Sequence, residues 1–263
     1  MKEKLLIHSE CLHEDVSAGM VLPNGCCRRI MVLLHGYSGS YEELDDKLPL
    51  QEYADKYKML LLCPNLGNGY YIDREGKKYG SFLAQELPEH IRKHYHEEHV
   101  AKMILAGISM GGYGAMLTGC HYPQSFSHII SLGGAFIAHD VSIGNPEICG
   151  SISNMATVHY FLSVFGPDVS DLDTSIDRNP LAAIRCIKDA DNQPLFWLIC
   201  GKRDIMYTRN LKAVSVLSAH GLKFKWHELA GGHTYACFDE GLRFAMDLIA
   251  GSNIPECCNS TFP

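Results

Sequence analysis

Short apolar runs with strand character alternate with segments of helical spacing along most of the chain, and this alternation constrains the fold most. The runs are nearly continuous, which is typical of strands buried on both faces of a parallel sheet. The segments between them have the length and period of helices that cover such a sheet. The predicted strands are Ile30–Leu34, Met59–Cys63, Met103–Ala106, His128–Leu132, Leu195–Cys200 and Phe224–Leu229, and the predicted helices are Tyr41–Lys56, Phe82–Tyr95, Gly112–His121, Thr208–His220 and Phe238–Ile249.

Two further regions complete the predicted organisation. Leu5–Ile7 and Val16–Leu22 flank a polar break and predict an antiparallel hairpin at the edge of the sheet. The stretch 136–191 has no clear period, and a segment of that length between two strands is usually functional. No repeat or linker divides the 263 residues, an ordinary length for one α/β unit. We therefore expect a single domain over 1–263, with about eight strands and with 136–191 inserted over the active-site edge.

Charge, hydropathy and cysteine usage argue against several classes of partner. The net charge is -7 and the longest basic patches are pairs of residues, which disfavours binding to nucleic acid or to an anionic membrane surface. No segment approaches the roughly 18 to 20 apolar residues of a membrane span, and the N-terminus lacks a secretory signal. The 11 cysteines include no C-x-x-C and predict reduced thiols. A cytoplasmic protein is expected.

One serine lies in a glycine-rich junction between a predicted strand and a predicted helix. The segment Gly107-Ile108-Ser109-Met110-Gly111 matches G-x-S-x-G, in which a sharp strand-to-helix turn exposes the serine as a nucleophile. Side chains at the two glycines would crowd such a turn, and the helix N-terminus favours developing negative charge. The pentapeptide alone is a moderate signal, and its position between a strand and a helix strengthens it.

A serine nucleophile requires a histidine base and a carboxylate that orients the base. In sheet enzymes of this type the chain order is serine, then aspartate or glutamate, then histidine. Asp204 follows one predicted strand directly, and His233 follows the next. Each has a structural alternative, since Asp204 could cap a helix and His233 is one of 14 histidines. Their order and their common position beyond strand ends predict a Ser109–Asp204–His233 triad.

The oxyanion hole and the pocket can be predicted less directly. The backbone N–H groups of Met110 and Tyr37 are the candidate oxyanion donors, because Met110 follows the serine and Tyr37 lies in an earlier strand-to-helix loop. His35 is expected to brace that loop. No metal-binding or nucleotide-binding motif is present, so no metal or cofactor is expected. Four aromatic residues are candidates to line the substrate pocket, although such residues more often fill a core: Tyr70, Tyr113, Phe136 and Tyr207.

Four segments resemble, in order and approximate spacing, the esterase D branch of the α/β-hydrolases, and most closely the small bacterial tributyrin-esterase-like acyl esterases. They are "LLHGYSG", "GISMGGYGAM", "CGKRDIMY" and "GGHTY". The resemblance implies an α/β-hydrolase fold, the triad and oxyanion donors named above, no cofactor, and hydrolysis of short-chain esters. Relatives often carry an acidic residue and an aromatic pair after the histidine, whereas this chain has Thr234-Tyr235-Ala236-Cys237. This departure falls on the expected pocket wall.

The expected function is that of a serine carboxylesterase that hydrolyses short-chain acyl esters, with acylated sugars as one candidate class, through an acyl-enzyme intermediate. The same triad would serve an acyltransferase or a thioesterase similar to S-formylglutathione hydrolases. A non-catalytic binding protein on this fold is a further alternative, and the presence of all three triad residues weighs against it. The expected partner is a small-molecule ester, and a homo-oligomer stays open.

Overall fold

The computed structural model describes residues 1–95, 102–145, 148, 158–187 and 193–251. Within them, eight strands form one sheet in the order β1-β2-β4-β3-β5-β6-β7-β8. Their bounds are β1 Lys2–Ser9, β2 Glu14–Val21, β3 Arg29–Leu34, β4 Met59–Pro64, β5 Met103–Ile108, β6 Phe126–Leu132, β7 Leu195–Gly201 and β8 Phe224–Leu229.

The sheet is parallel except at the edge formed by the N-terminal hairpin. Strands β3 to β8 pair in parallel with one another. Strand β1 pairs antiparallel with β2, which pairs antiparallel with β4. The strand order reverses between β3 and β5, and ligands of open α/β sheets bind at the carboxyl ends of the strands beside such a point. The mostly parallel sheet of eight strands and its edge hairpin are thus confirmed.

Helices and helical turns connect the strands. The first predicted helix, Tyr41–Lys56, is wrong as a single element, because Leu48 is extended and Pro49 has no N–H to donate within a helix. The described helices are α1 Tyr41–Lys47, α2 Leu50–Tyr57, α3 Tyr79–Ser81, α4 Leu87–Tyr95, α5 Met110–His121, α6 Ala138–Ser142, α7 Val158–Phe165, α8 Pro180–Ala183, α9 Tyr207–Ala219 and α10 Tyr235–Gly251, with a π-helical turn at Phe82–Glu86 and 3-10 turns at Pro123–Ser125 and Ile184–Cys186.

The hydrophobic core lies in two layers, one on each face of the sheet. Alternate residues of β3 belong to different layers, since Val32 packs in one and Leu33 in the other. The first layer includes Met116 of α5, and the second includes Leu242 of α10. Helices therefore cover both faces, as nearly continuous apolar strands predict.

The predicted insertion at 136–191 contains α6, α7 and α8, and its positions 146–147, 149–157 and 188–191 lie outside the described residues. Tyr160 of α7 donates a hydrogen bond to the carbonyl of Asn68 (2.6 Å) and packs edge-on against Tyr37, with ring centroids 5.2 Å apart. These contacts bring α7 next to the loop that follows β3. The single domain and the position of the insertion over the active-site edge stay predictions.

Candidate active site

Ser109 lies at the junction between β5 and α5 in a strained backbone conformation. Its φ is 54° and its ψ is -111°, a region that residues with side chains rarely adopt. The flanking glycines are required by close backbone contacts. A Cβ at Gly107 would lie 2.1 Å from the carbonyl oxygen of Gly111, and one at Gly111 would lie 2.3 Å from that of Leu34. No other residue fits at these two positions without a shift of the backbone.

Main-chain hydrogen bonds attach Ser109 to the end of β6. Its N–H donates to the carbonyl of Leu132 (2.9 Å), and its own carbonyl accepts from the N–H of Ala135 (3.0 Å). The N–H and the carbonyl of the strained residue are therefore both satisfied. The pairing of β5 with β6 fixes the position of Ser109, and these hydrogen bonds hold its strained conformation.

A continuous set of hydrogen bonds joins the three predicted triad residues. His233 Nε2 lies 2.9 Å from Ser109 Oγ, and His233 Nδ1 lies 2.8 Å from both carboxylate oxygens of Asp204. Asp204 is buried, and its Oδ1 also accepts a hydrogen bond from the N–H of Met206 (2.7 Å). An ionised carboxylate only accepts, so Nδ1 carries the proton and Nε2 is free to accept from the serine hydroxyl.

Two neighbours fix the positions of the aspartate and the histidine. Gly133, after β6, has a φ of +53°, and a Cβ there would lie 2.7 Å from Asp204 Oδ2 and 3.3 Å from His233 Nδ1. Phe238 packs edge-on against the imidazole of His233, with ring centroids 5.1 Å apart. The pair thus packs against the Gly133 backbone and against an aromatic ring.

The two candidate oxyanion donors belong to segments next to Ser109. Met110 is the first residue of α5, so its N–H has no acceptor within the helix. The loop that contains Tyr37 passes close to the serine, since a Cβ at Gly36 would lie 3.7 Å from Ser109 Cβ. Among the described residues, neither N–H has a backbone or side-chain acceptor. Both groups are thus available to a bound ligand.

His35 braces the loop after β3, as its sequence position predicts. Its Nδ1 lies 2.7 Å from the carbonyl of Gly36, and its Nε2 accepts from the N–H of Leu66 (3.3 Å). Burial lowers the pKa of His35, which keeps the ring neutral with the proton on Nδ1. His35 therefore orients the loop that presents Tyr37.

A cavity of about 380 Å³ opens beside Ser109 and His233. Of the four aromatic residues predicted to line the pocket, only Tyr70 does. Phe136 lines a different cavity, while the hydroxyl of Tyr207 binds Glu228. The lining residues are Gly36, Tyr37, Glu43, Tyr70, Ile108, Ser109, Ala135, Ile205, Met206, His233, Thr234, Tyr235 and Phe238.

The remaining predicted aromatic residue, Tyr113, belongs to the core. It is fully buried, and its ring packs edge-on against Tyr70, with centroids 5.2 Å apart. Its hydroxyl donates to the carbonyl of Arg178. Tyr113 therefore supports the lining residue Tyr70 from behind and does not itself face the cavity.

The cavity residues that were not among the predicted pocket residues include Glu43, Ile205 and Tyr235. Ile205 is a large apolar side chain with 55% exposure, and it directly follows the predicted triad aspartate. Tyr235 lies two residues beyond the predicted triad histidine. Adjacency to the predicted triad was the signal available for these two. Glu43 lies in α1, and its sequence position resembles that of an ordinary first-turn acid.

Other classes of site have little support in the described part of the chain. It holds no group of three or more histidine, cysteine or carboxylate side chains arranged to bind a metal ion. None of its helices combines the length and the apolar character that crossing a membrane requires.

Comparison with protein families identifies the class of enzyme. The family model described as "Putative esterase" matches residues 32–246. The chain belongs to this esterase family. An acetyl esterase of Caldicellulosiruptor saccharolyticus is similar to it, with 29% identity over 222 residues that cover 83% of this chain and 82% of the relative. The protein is therefore a carboxylic ester hydrolase.

Solved structures show the fold of this esterase. The serine hydrolase FphF of Staphylococcus aureus superposes with a TM-score of 0.79 at 20% identity, covering 96% of this chain and 99% of that one. The S-formylglutathione hydrolase FrmB of Staphylococcus aureus superposes with a TM-score of 0.75 at 20% identity, covering 95% and 99%. At these identities the likeness extends to the fold, and the predicted α/β-hydrolase architecture is confirmed.

Proposed function

We propose that this esterase hydrolyses short-chain acyl esters through an acyl-enzyme formed on Ser109. The observation that carries the proposal is the unbroken hydrogen-bond path from Asp204 through His233 to the serine hydroxyl. This path ends in a cavity, so the hydroxyl is accessible to a small substrate. Nucleophile, base and orienting carboxylate thereby occupy the relation that serine acyl transfer requires.

The reaction follows from these positions. Ser109 Oγ attacks the ester carbonyl while His233 Nε2 takes its proton, and the Asp204 carboxylate stabilises the imidazolium that forms. The N–H groups of Tyr37 and Met110 donate to the oxyanion of the tetrahedral intermediate. His233 then gives the proton to the departing alcohol, which leaves the acyl group on Ser109. Water then attacks the acyl-enzyme while His233 takes its proton, and the carboxylic acid is released.

Short acyl chains are the proposed substrates. A cavity of about 380 Å³ has room for a small acyl group together with part of the alcohol. The similarity to an acetyl esterase favours acetyl among them, and acylated sugars are a candidate class. Membership of the esterase D branch, next to the tributyrin-esterase-like enzymes, is part of the same proposal.

Two further parts of the proposal concern the acceptor and the compartment. An acyltransferase would use the same residues and pass the acyl group to a second alcohol. Exclusive hydrolysis at a high concentration of a sugar acceptor would contradict transfer. A cytoplasmic location is supported by the cysteines, because six of those that the structure describes are free thiols: Cys11, Cys26, Cys63, Cys120, Cys200 and Cys237.

The substitution Ser109→Ala tests the proposed nucleophile. We expect kcat/KM for p-nitrophenyl acetate to fall by at least about 10⁴-fold, because no other group can form the acyl-enzyme. Labelling by a fluorophosphonate probe should be lost as well. Ser215→Ala is the matched control, since this exposed serine of α9 lies outside the cavity. Turnover that survives in Ser109→Ala, with urea unfolding unchanged, would contradict the proposal.

A further inference from the structure

The cavity beside Ser109 has an asymmetric charge. Among the described residues that line it, Glu43 is the one carboxylate, and there is no lysine or arginine. A substrate carboxylate in this cavity would thus meet a like charge and no cationic partner. Like charges brought together in a binding site disfavour the wrong partner.

An ordinary structural role for Glu43 is that of a capping-box residue. Ser40 is the N-cap of α1, and its Oγ accepts a hydrogen bond from the N–H of Glu43 (3.3 Å). In a complete capping box, the glutamate side chain returns to the N–H of the cap residue. Here the carboxylate lies over Gly39 instead, where a Cβ would be 2.9 Å from Glu43 Oε2. The side chain is therefore directed to the loop after Tyr37 and to the cavity.

Tyr235 places Glu43 on the side of the cavity where the alcohol leaves. Tyr235 and Glu43 line the same cavity, and burial together with the Glu43 carboxylate raises the pKa of Tyr235, so the phenol keeps its proton. The Tyr235 ring packs edge-on against Phe238, at a centroid distance of 6.0 Å, and Phe238 packs on His233. Because His233 delivers the proton to the leaving oxygen, groups beside it face the alcohol half of the ester.

We propose that Glu43 selects the alcohol half of the substrate: it accepts hydrogen bonds from neutral, hydroxyl-rich alcohols such as sugars and polyols, and it repels leaving groups that carry a carboxylate. The inference rests on the proposed function. An ionised carboxylate has about four acceptor sites, so the interaction with Tyr235 leaves others for substrate hydroxyls. The leaving group of a glutathione thioester carries two carboxylates and one ammonium. The Glu43 carboxylate therefore disfavours such a substrate.

The test compares two aryl acetates that differ in the charge of the leaving group. The substrates are 3-carboxyphenyl acetate, which is anionic at neutral pH, and 3-(hydroxymethyl)phenyl acetate, which is neutral. The measured quantity is the ratio of their kcat/KM values. We expect Glu43→Gln to raise the anionic-to-neutral ratio about fivefold at low salt, the effect of like charges held roughly 6 Å apart in a partly solvated site.

Glu42→Gln is the matched control. Glu42 is the neighbouring acid on α1, but it faces Lys4 at the surface (2.9 Å) and does not line the cavity. It should therefore leave the ratio unchanged. In the wild-type protein, the ratio should rise with added salt, because screening weakens the repulsion, and this measurement does not depend on the folding of any variant.

The outcomes separate this inference from the proposed function. A ratio that is the same in wild type and Glu43→Gln, and insensitive to salt, would overturn the role of Glu43 while Ser109→Ala still abolished turnover of both substrates. Turnover of both substrates in Ser109→Ala would overturn the proposed function instead. An equal rise of the ratio in Glu42→Gln would show that any negative charge on α1 has this effect, and it would also overturn the specific role of Glu43.

Discussion

Gly133 supports the Asp204–His233 pair through its lack of a side chain, and Gly133→Ala should therefore reduce activity far more than it reduces stability. The added methyl group would lie 2.7 Å from Asp204 Oδ2 and 3.3 Å from His233 Nδ1. Non-bonded heavy atoms favour separations of about 3.5 Å, so the carboxylate has to move by roughly 0.8 Å. This displacement acts directly on the hydrogen bond that orients the imidazole.

The size of the two effects follows from separate causes. A misplacement of about 1 Å in a catalytic constellation can cost about 100-fold in rate, so kcat/KM for p-nitrophenyl acetate should fall by about 10-fold to 100-fold. The backbone effect is smaller, because alanine at a φ of +53° costs about 1 kcal/mol in the free energy of unfolding.

Gly221→Ala is the control that separates these causes. Gly221 has a φ of +66°, and a Cβ there would have no heavy atom within 4 Å. This variant therefore shares the backbone cost of Gly133→Ala without the contact to the aspartate. We expect it to lose similar stability to urea and to keep its kcat/KM. If both variants lost the same fraction of activity, or if Gly133→Ala kept full activity, the steric reasoning would be refuted.

Two further predictions concern buried carboxylates. Asp204→Asn should lower kcat by about 10⁴-fold with little change in urea unfolding, because an amide can hold His233 in the wrong tautomer; wild-type turnover in this variant would contradict the proposed role. Burial alone would raise the pKa of Asp140, but hydrogen bonds from Arg209 (2.7 and 2.8 Å) and Asn145 outweigh burial and lower it. Asp140 thus stabilises the fold above its unfolded pKa, and this contribution is lost as the pH falls through the lower, folded value. The free energy of unfolding should accordingly drop less between about pH 7 and pH 3 in Asp140→Asn than in wild type; an equal drop would contradict the assignment.

The central strands could be predicted because burial on both faces leaves a simple trace in the sequence. Strand β4 reads as the uninterrupted apolar run Met59–Cys63, and the structure extends it by one residue, to Pro64. Strand β8 is predicted with its bounds, Phe224–Leu229. Because parallel strands end at the same edge of the sheet, the loops that follow them lie together there. The three predicted triad residues could thus be located at one edge of the sheet before their contacts were known.

The walls of the cavity could not be predicted in the same way. Aromatic residues fill cores and line pockets alike, and neither hydropathy nor spacing distinguishes Tyr70, which lines the cavity, from Tyr113, which is buried behind it. The orientation of Glu43 depends on a capping box that is only half formed, and this is visible only in three dimensions. Tertiary packing, which decides both cases, leaves no period in the sequence.

The two main-chain hydrogen bonds between Ser109 and the end of β6 bear on how an enzyme of this kind diverges. They come from Leu132 and Ala135, whereas the proposed specificity wall comes from α1 and α10. If Glu43 selects the alcohol as proposed, mutations there exchange one alcohol for another and leave the Ser109 hydroxyl in place. The position of Ser109 and the proposed selection by Glu43 thus depend on different parts of the chain, so a lineage with this architecture can acquire new substrates without first losing the old chemistry.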